Sequence, residues 1–202
     1  MKVLFCALVG YLLGSISPSA LIAKIKKQDI RKSGTKNLGA MNTLIHFGQA
    51  WCVFVMLFDV MKAVIAVKIA KYFVPSLFYA GFIAGGAAVI GHMFPFYMRF
   101  KGGKGLAPFA GFVLGNNPLV FLFLLVCCVT LMFIVNYSVA LPYSASVLYP
   151  FMAGYATRDL NVFLLTLPIS IVMLVKFRGN LMKAIRREDT KARDFVRIQF
   201  SK

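Results

Sequence analysis

The chain has 202 residues, of which 60% are hydrophobic and only 14% are charged. This composition is too apolar for an ordinary soluble domain and excludes that class. The net charge of +17 could indicate a nucleic-acid partner, but the basic residues cluster in short segments, as they do on the cytoplasmic loops of membrane proteins. We therefore predict an integral membrane protein that binds no nucleic acid.

Apolar segments follow one another along the whole chain, several of them near the 20 residues that a bilayer's hydrocarbon core requires of a helix. They cover residues 3–23, 47–73, 77–97, 106–114, 119–135, 140–156 and 162–175. The second is long enough to bend at Gly48 or near Asp59. The pattern predicts an all-α, polytopic bundle of about seven transmembrane helices.

The charge distribution predicts the topology. With seven crossings, the basic segments 24–36, 99–104 and 176–202 share one side, while the turns between them on the other side carry few charges. The positive-inside rule places the basic side in the cytoplasm, so we predict an external N-terminus and a cytoplasmic C-terminus. We predict a single membrane-embedded domain over residues 1–202, with the bundle at 1–176 and a basic interfacial tail at 177–202.

Small residues inside the apolar segments predict packing rather than chemistry. Gly81 and Gly85 form a GxxxG pair of the kind that lets membrane helices approach closely. The four cysteines lack CxxC spacing and nearby histidine pairs, so we predict neither a disulfide frame nor a metal site. They are Cys6, Cys52, Cys127 and Cys128.

Four polar patches interrupt the apolar pattern. They are "KSGTKNLGAMN" at 32–42, Asp59 with Lys62, "GHMFPFYMRFKGGKG" at 91–105, and "KFRGN" at 176–180. Asp59 and Lys62 are three residues apart on one helix face, which favours a mutually neutralising pair. His92 is either a proton carrier or a ring that holds a loop carbonyl, and His46, without polar company, is predicted to be interfacial.

The third patch has the composition of an anion-binding loop. Gly102 and Gly103 would allow backbone N–H groups to converge on an anion, Lys101 and Lys104 add positive charge, and a helix beginning near Gly105 would direct its positive end there. The nucleotide P-loop pattern GxxxxGK[ST] is absent. Taken alone, this loop could equally be a flexible turn.

The first patch offers similar chemistry. Its small, hydroxyl, cationic and amide residues are Gly34, Thr35, Lys36, Asn37 and Gly39. Asn42 and Asn180 place amides at the ends of apolar runs, where membrane helices normally avoid polar groups. Two phosphate-compatible loops and an amide-bearing tail on one membrane face predict a site for two anionic groups.

These motifs resemble those of the bacterial acyl-phosphate-dependent glycerol-3-phosphate acyltransferases, the PlsY family, across nearly the whole chain. The family's G-S-x-N-x-G-A-T-N motif is matched at 34–42, its D-x-x-K element at 59–62, and its G-H-x-F-P…F-K-G-G-K-G-x-A motif at 91–107. Its H-R-x-N motif is partly met by Arg178 and Asn180.

The resemblance implies acyl transfer from acyl phosphate to glycerol 3-phosphate, giving lysophosphatidate and phosphate, without cofactor or metal. It implies a multi-pass protein of the bacterial plasma membrane with its active site at the cytoplasmic face, in contact with membrane lipids; no protein partner is inferable. The implied catalytic residues are Thr35, Lys104 and Asn180. The implied substrate-binding residues are Gly34, Lys36, Asn37, Gly39, Asn42, His92, Lys101, Gly102, Gly103 and Arg178.

The chain departs from the family pattern at several positions. Ile45 stands where the family usually has arginine, Phe177 where it has histidine, Met41 for threonine and Ala63 for glycine, and the G-x-E ending is replaced at 187–189. Each lost charge-assisted hydrogen bond would weaken phosphate binding by about 1.5–3 kcal/mol, which Lys36 could offset. The alternatives are a divergent paralogue that binds a phosphate-bearing lipid or metabolite with weak or no turnover, and a transporter or channel.

Overall fold

The computed structural model describes residues 1–188 and residue 191, and in these residues the fold is a helical membrane bundle. The helices are α1 (Lys2–Ser15), α2 (Pro18–Ile25), α3 (Ala40–Phe47), α4 (Gln49–Phe73), α5 (Ala80–Met93), α6 (Leu106–Asn116), α7 (Pro118–Val135), α8 (Ala140–Thr157) and α9 (Leu160–Ile185). Two short 3-10 helices, Ile30–Lys32 and Phe96–Met98, precede the polar loops that lead into α3 and α6. The described residues form no β-strand beyond an isolated bridge between Tyr137 and Lys191.

Five stretches of the described chain are long and apolar enough to cross a membrane. They are Lys2–Ile25, Gln49–Phe73, Ala80–Met98, Pro118–Val135 and Leu160–Ile185. The 11-residue α6 and the 18-residue α8 fall on the two remaining predicted segments. The all-α membrane fold predicted from the sequence is therefore confirmed.

The structure defines three helix boundaries that bear on the predicted segments. Gly48, with a φ of 84°, ends α3 and begins α4, which confirms a break at that residue. The first apolar segment is divided at Ser17–Pro18, because Ser17 caps α2 through its hydroxyl and Pro18 occupies the first turn, where its missing N–H costs nothing. α9 continues without interruption past residue 176 to Ile185, and the predicted division between bundle and tail stays a prediction.

The chain divides into two compact units, Met1–Pro118 and Leu119–Lys202, and the single domain predicted from the sequence stays a prediction. In the first unit, α5 packs against α1, α4 and α6. A Cβ at Gly10 or Gly14 of α1 would overlap the backbone of Ala84 or Ala88 of α5. This close backbone contact is what glycine permits between membrane helices.

The predicted GxxxG pair of α5 faces the other way. A Cβ at Gly81 would meet Lys71 and Asn116, and one at Gly85 would meet Phe112 and Val67. The Lys71 ammonium donates to the Asn116 carbonyl at 3.2 Å, at the C-terminal end of α6. The small residues of α5 therefore allow close packing on two sides of that helix.

In the second unit, α8 and α9 pack as an antiparallel pair. The Tyr143 hydroxyl donates to the Leu174 carbonyl at 3.2 Å, and the rings of Phe151 and Phe163 lie 5.2 Å apart. Beyond residue 188, apart from Lys191, the predicted basic tail lies outside the described residues.

Candidate functional site

The loop before α3 is held by a buried amide. The Asn42 side chain is 1% exposed; its Oδ1 accepts from the Thr35 N–H at 2.9 Å and its Nδ2 donates to the Ile30 carbonyl at 2.6 Å. Gly34, at a φ of 62°, lies so close to Asn42 Oδ1 that a Cβ would overlap it. The contact that the structure gives Asn42 is thus with the loop, while the substrate contact stays a prediction.

His46 takes part in the same loop and is not the isolated interfacial residue that the sequence predicted. Its Nδ1 lies 2.8 Å from the Asn42 carbonyl oxygen and its Nε2 lies 2.7 Å from the Ser33 hydroxyl. Asn42 and His46 are one turn apart on α3 and hold the loop from one helix face. In this loop Thr35 and Lys36 are exposed, and Asn37 and Gly39 are half-buried.

In the loop at residues 101–105, which we call the glycine loop, the structure corrects one sequence prediction. The Gly102 N–H donates to the Met93 carbonyl and the Gly103 N–H to the His92 carbonyl, each at 3.1 Å. These two N–H groups therefore do not converge on an anion. The glycines are needed instead because a Cβ at Gly102 would overlap the His92 carbonyl.

The glycine loop and the loop before α3 meet at Gly103. A Cβ there would overlap His92 Nε2 and would lie 2.6 Å from the Leu38 carbonyl oxygen. Gly103 is buried, whereas Lys104 beside it is half-buried and Lys101 is exposed. Two motifs that are more than sixty residues apart in sequence are thus in contact in the first unit, as the predicted two-loop site requires.

Three ionisable side chains lie buried beneath this contact, and we call Asp59, Lys62 and His92 the buried trio. Each is no more than 6% exposed. Lys62 Nζ lies 2.6 Å from Asp59 Oδ1 and 2.9 Å from His92 Nδ1, and it donates to the Ile16 carbonyl at 2.7 Å. The neutralising pair predicted from the sequence is confirmed, with a histidine added. Removal of one partner from such a pair typically costs about 3–5 kcal/mol, since the other charge remains buried.

A recess of about 240 Å³ opens beside Leu38. Its apolar lining comprises Ala20, Ala23, Leu38 and Met98, and its polar rim comprises Lys24, Lys27, Gln28, Asp29 and Arg31. The Arg31 guanidinium donates to both carboxylate oxygens of Asp29 and lowers the pKa of that carboxyl to about 2. The negative charge of Asp29 is thereby paired with Arg31. Lys24 and Lys27 then give the rim of the recess a net positive charge.

The third motif lies on α9, in the second unit. Arg178 is exposed, Asn180 is half-buried, and Phe177 is buried at 8% exposure. All three belong to a continuous helix, so their side chains project in different directions around its axis. Their convergence with Thr35 and Lys104 stays a prediction.

Comparison with known proteins identifies the family. The family model for glycerol-3-phosphate acyltransferase matches residues 4–187, which is nearly all of the chain. The chain belongs to the glycerol-3-phosphate acyltransferase family.

Similar members of this family come from several bacteria. The glycerol-3-phosphate acyltransferase of Macrococcus caseolyticus is 34% identical, with both chains covered completely. The one from Staphylococcus haemolyticus is 31% identical over 95% of this chain and 98% of its own. The one from Thermoanaerobacter pseudethanolicus is 31% identical over 95% and 96%.

Solved structures of the acyltransferase family share the fold. The crystal structure of PlsY (YgiH), an integral membrane glycerol 3-phosphate acyltransferase, in its glycerol 3-phosphate form has a TM-score of 0.85 and 29% identity, covering 95% of this chain and 96% of that chain. Its lysophosphatidic acid form has a TM-score of 0.83 and 28% identity, covering 95% of each chain. These likenesses confirm the family inferred from the motifs.

The positions where this chain departs from the acyltransferase family pattern have different surroundings. Ile45 and Met41 are exposed on α3, at 58% and 48%. Ala63 is fully buried, and it packs with Ala66 and Ala88 where α4 meets α5. The change at Ala63 therefore affects helix packing, whereas the change at Ile45 removes a cation from the surface of the helix that holds the first loop.

Several residues of the site were not predicted from the sequence. Leu38 contributes its carbonyl to the contact at Gly103, Ser33 bonds His46, and Ile16 accepts from Lys62. Two of these contacts are made by main-chain carbonyls, which every residue type carries. Only the tertiary packing reveals them.

Proposed function

We propose that this protein transfers a fatty acyl chain from acyl phosphate to glycerol 3-phosphate, giving 1-acylglycerol 3-phosphate and inorganic phosphate. The observation that carries the proposal is the contact of the Leu38 carbonyl with Gly103, which brings the family's two phosphate-compatible loops together in the first unit. A mixed anhydride is already activated, so the protein needs to position two anionic substrates and stabilise charge, without a covalent nucleophile.

In the proposed reaction, the primary hydroxyl of glycerol 3-phosphate attacks the acyl carbonyl carbon. The new ester C–O bond forms, the bond from that carbon to the phosphate oxygen breaks, and the departing phosphate takes the hydroxyl proton. Lys104 stabilises the charge that develops on the oxygens, at the N-terminal end of α6. Thr35 holds substrate phosphate, and the family motif on α9 assigns the same role to Asn180. Gly102 and Gly103 let the loop pack against His92.

The remaining predicted contacts belong to the same proposal. Lys36, Lys101 and Arg178, all exposed, supply positive charge to the two dianions. Gly34, Asn37 and Gly39 shape the first loop. We place the site at the cytoplasmic face of the bacterial plasma membrane, where the positive-inside rule puts the basic loops. The acyl chain lies against apolar surface next to the lipid.

A direct assay tests the proposal. Purified protein in lipid receives acyl phosphate and labelled glycerol 3-phosphate, and we expect labelled lysophosphatidate. Lys104→Ala should lower kcat/KM by about 100-fold or more, the loss expected when one donor to a developing oxyanion is removed. Lys26→Ala is the matched control; that exposed lysine lies over the Trp51 ring at 5.7 Å and should leave turnover unchanged.

The outcomes separate the alternatives. An unmutated protein that binds glycerol 3-phosphate but forms no lysophosphatidate would support the non-catalytic paralogue, which the family comparison does not favour. Equal turnover with acyl coenzyme A would overturn the acyl phosphate donor while leaving acyl transfer intact. Equal losses in Lys104→Ala and Lys26→Ala would remove Lys104 from its assigned role.

A further inference from the structure

We propose that the buried trio is a positioning group that fixes Gly103, and through it Lys104, in the geometry needed for acyl transfer. This inference rests on the proposed function, because its kinetic consequence is read in that reaction. His92 is thereby a positioning residue beneath the loop, in place of the direct substrate contact that the family pattern suggested.

Lys62 has close polar partners on three elements of the first unit. Its ammonium carries three N–H groups and has three partners: Asp59 Oδ1 at 2.6 Å, His92 Nδ1 at 2.9 Å and the Ile16 carbonyl at 2.7 Å. The same Nδ1 of His92 also lies 3.4 Å from Asp59 Oδ1. The Asp59–Lys62 pair therefore contacts one edge of the His92 ring and holds the ring in one orientation.

His92 contacts the glycine loop through both its ring and its backbone. The Nε2 edge faces Gly103 so closely that a Cβ there would overlap it, and the His92 carbonyl accepts from the Gly103 N–H at 3.1 Å. The Leu38 carbonyl lies against the same glycine. Gly103 is thus fixed by the ring and the backbone of one residue, and the chain enters Lys104 directly afterwards.

Charge neutralisation alone does not explain the arrangement of the buried trio. Asp59 and Lys62 could neutralise each other on one face of α4 with no further partner. Lys62 instead joins α4 to α5 through His92 and to the junction of α1 and α2 through Ile16. Apolar residues of similar volume can replace a buried ion pair at little or no cost in stability, so stability alone does not require these charges.

The kinetic test uses paired substitutions in the full-length protein in lipid. Asp59→Leu combined with Lys62→Met removes both charges and retains volume, and His92→Ala removes the ring. We expect kcat to fall about 100-fold in each, the effect of a small misplacement of reacting groups, with little change in the KM for acyl phosphate. His92→Gln retains an amide near the position of Nε2 and should recover part of kcat, whereas His92→Asn should not.

The matched control is Lys71→Met. Lys71 lies on the same helix, nine residues beyond Lys62, and its ammonium donates to main-chain carbonyls at the end of α6, those of Gly115 and Asn116. We expect it to leave kcat near that of the unmutated protein. A folded double variant with unchanged kcat would overturn the proposal.

A second readout needs no substrate. Hydrogen exchange of the Gly102 and Gly103 amides reports their bonds to Met93 and His92, and it should speed up in His92→Ala and in the double variant but not in Lys71→Met. Unchanged protection in those two variants would overturn the proposal. If the unmutated protein has no acyl transfer activity, the proposed function fails while the exchange comparison still decides the positioning role. If the double variant or His92→Ala does not fold, as shown by the loss of its thermal unfolding transition, the comparison of His92→Gln with His92→Asn decides instead. Equal kcat in those two variants would overturn the proposal.

Discussion

Ile45 lies on the exposed side of α3, one turn beyond Met41, on the helix whose buried side chains hold the first loop. The family usually carries arginine at this position. An added guanidinium can make charge-assisted bonds to phosphate worth about 1.5–3 kcal/mol each. We therefore expect that a guanidinium at this position increases substrate affinity.

We expect Ile45→Arg to raise kcat/KM for glycerol 3-phosphate about tenfold or more, since each 1.4 kcal/mol is a factor of ten. Initial rates over a range of glycerol 3-phosphate concentrations measure this. Met41→Arg is the control, because it adds the same charge to the same helix one turn earlier. Equal gains in the two variants would attribute the effect to general attraction of anions.

Individual residues also differ in whether their contacts in the site could be predicted from the sequence. The Asp59–Lys62 pair was predictable because both partners lie on one helix at a fixed spacing. Its link to His92 was not, because hydropathy and spacing within one helix say nothing about which helix packs against it. The engaged N–H groups of Gly102 and Gly103 were missed for a similar reason: glycine composition does not say where a loop folds back.

At the scale of elements, the pairing of α1 with α5 depends on backbone contact. We expect Gly14→Ala to destabilise the protein by about 1–3 kcal/mol, the usual effect of overpacking, because its Cβ would overlap the Ala88 backbone. Thermal unfolding in detergent measures this. The control is Gly179→Ala on α9, where a Cβ meets nothing within 4 Å. That change should be neutral or stabilise by up to about 1 kcal/mol, since alanine favours helix over glycine.

A destabilisation by Gly179→Ala equal to that by Gly14→Ala would contradict the packing argument.

The elements themselves were largely predictable, because long apolar runs in a membrane protein leave the helix as the main way to satisfy the backbone. The break at Ser17–Pro18 was missed, although a capping serine before a proline is a start signal for a helix. The continuation of α9 past residue 176 was missed because a helix can leave the lipid without ending.

At the scale of the whole molecule, the topology is open to direct measurement. Single cysteines at Lys32, Lys101 and Arg178, in a background without native cysteines, should react with a membrane-impermeant maleimide only after cells are opened. Cysteines at Ser76 and Arg158 should react in intact cells, because the positive-inside rule places those turns outside. Labelling of Lys32→Cys, Lys101→Cys or Arg178→Cys in sealed cells would overturn the common cytoplasmic face.

The break in the first span also bears on the order in which the protein matures. Where the helix is interrupted, the Ile16 carbonyl bonds Lys62, and the Ser15 carbonyl accepts from the Tyr97 hydroxyl at 2.7 Å. A ribosome delivers both acceptors long before either donor, and a carbonyl without a partner in hydrocarbon costs several kcal/mol. We therefore expect the N-terminal span to reach its final conformation only after residue 97 has emerged, so that the first step of biogenesis depends on the arrival of the later helices.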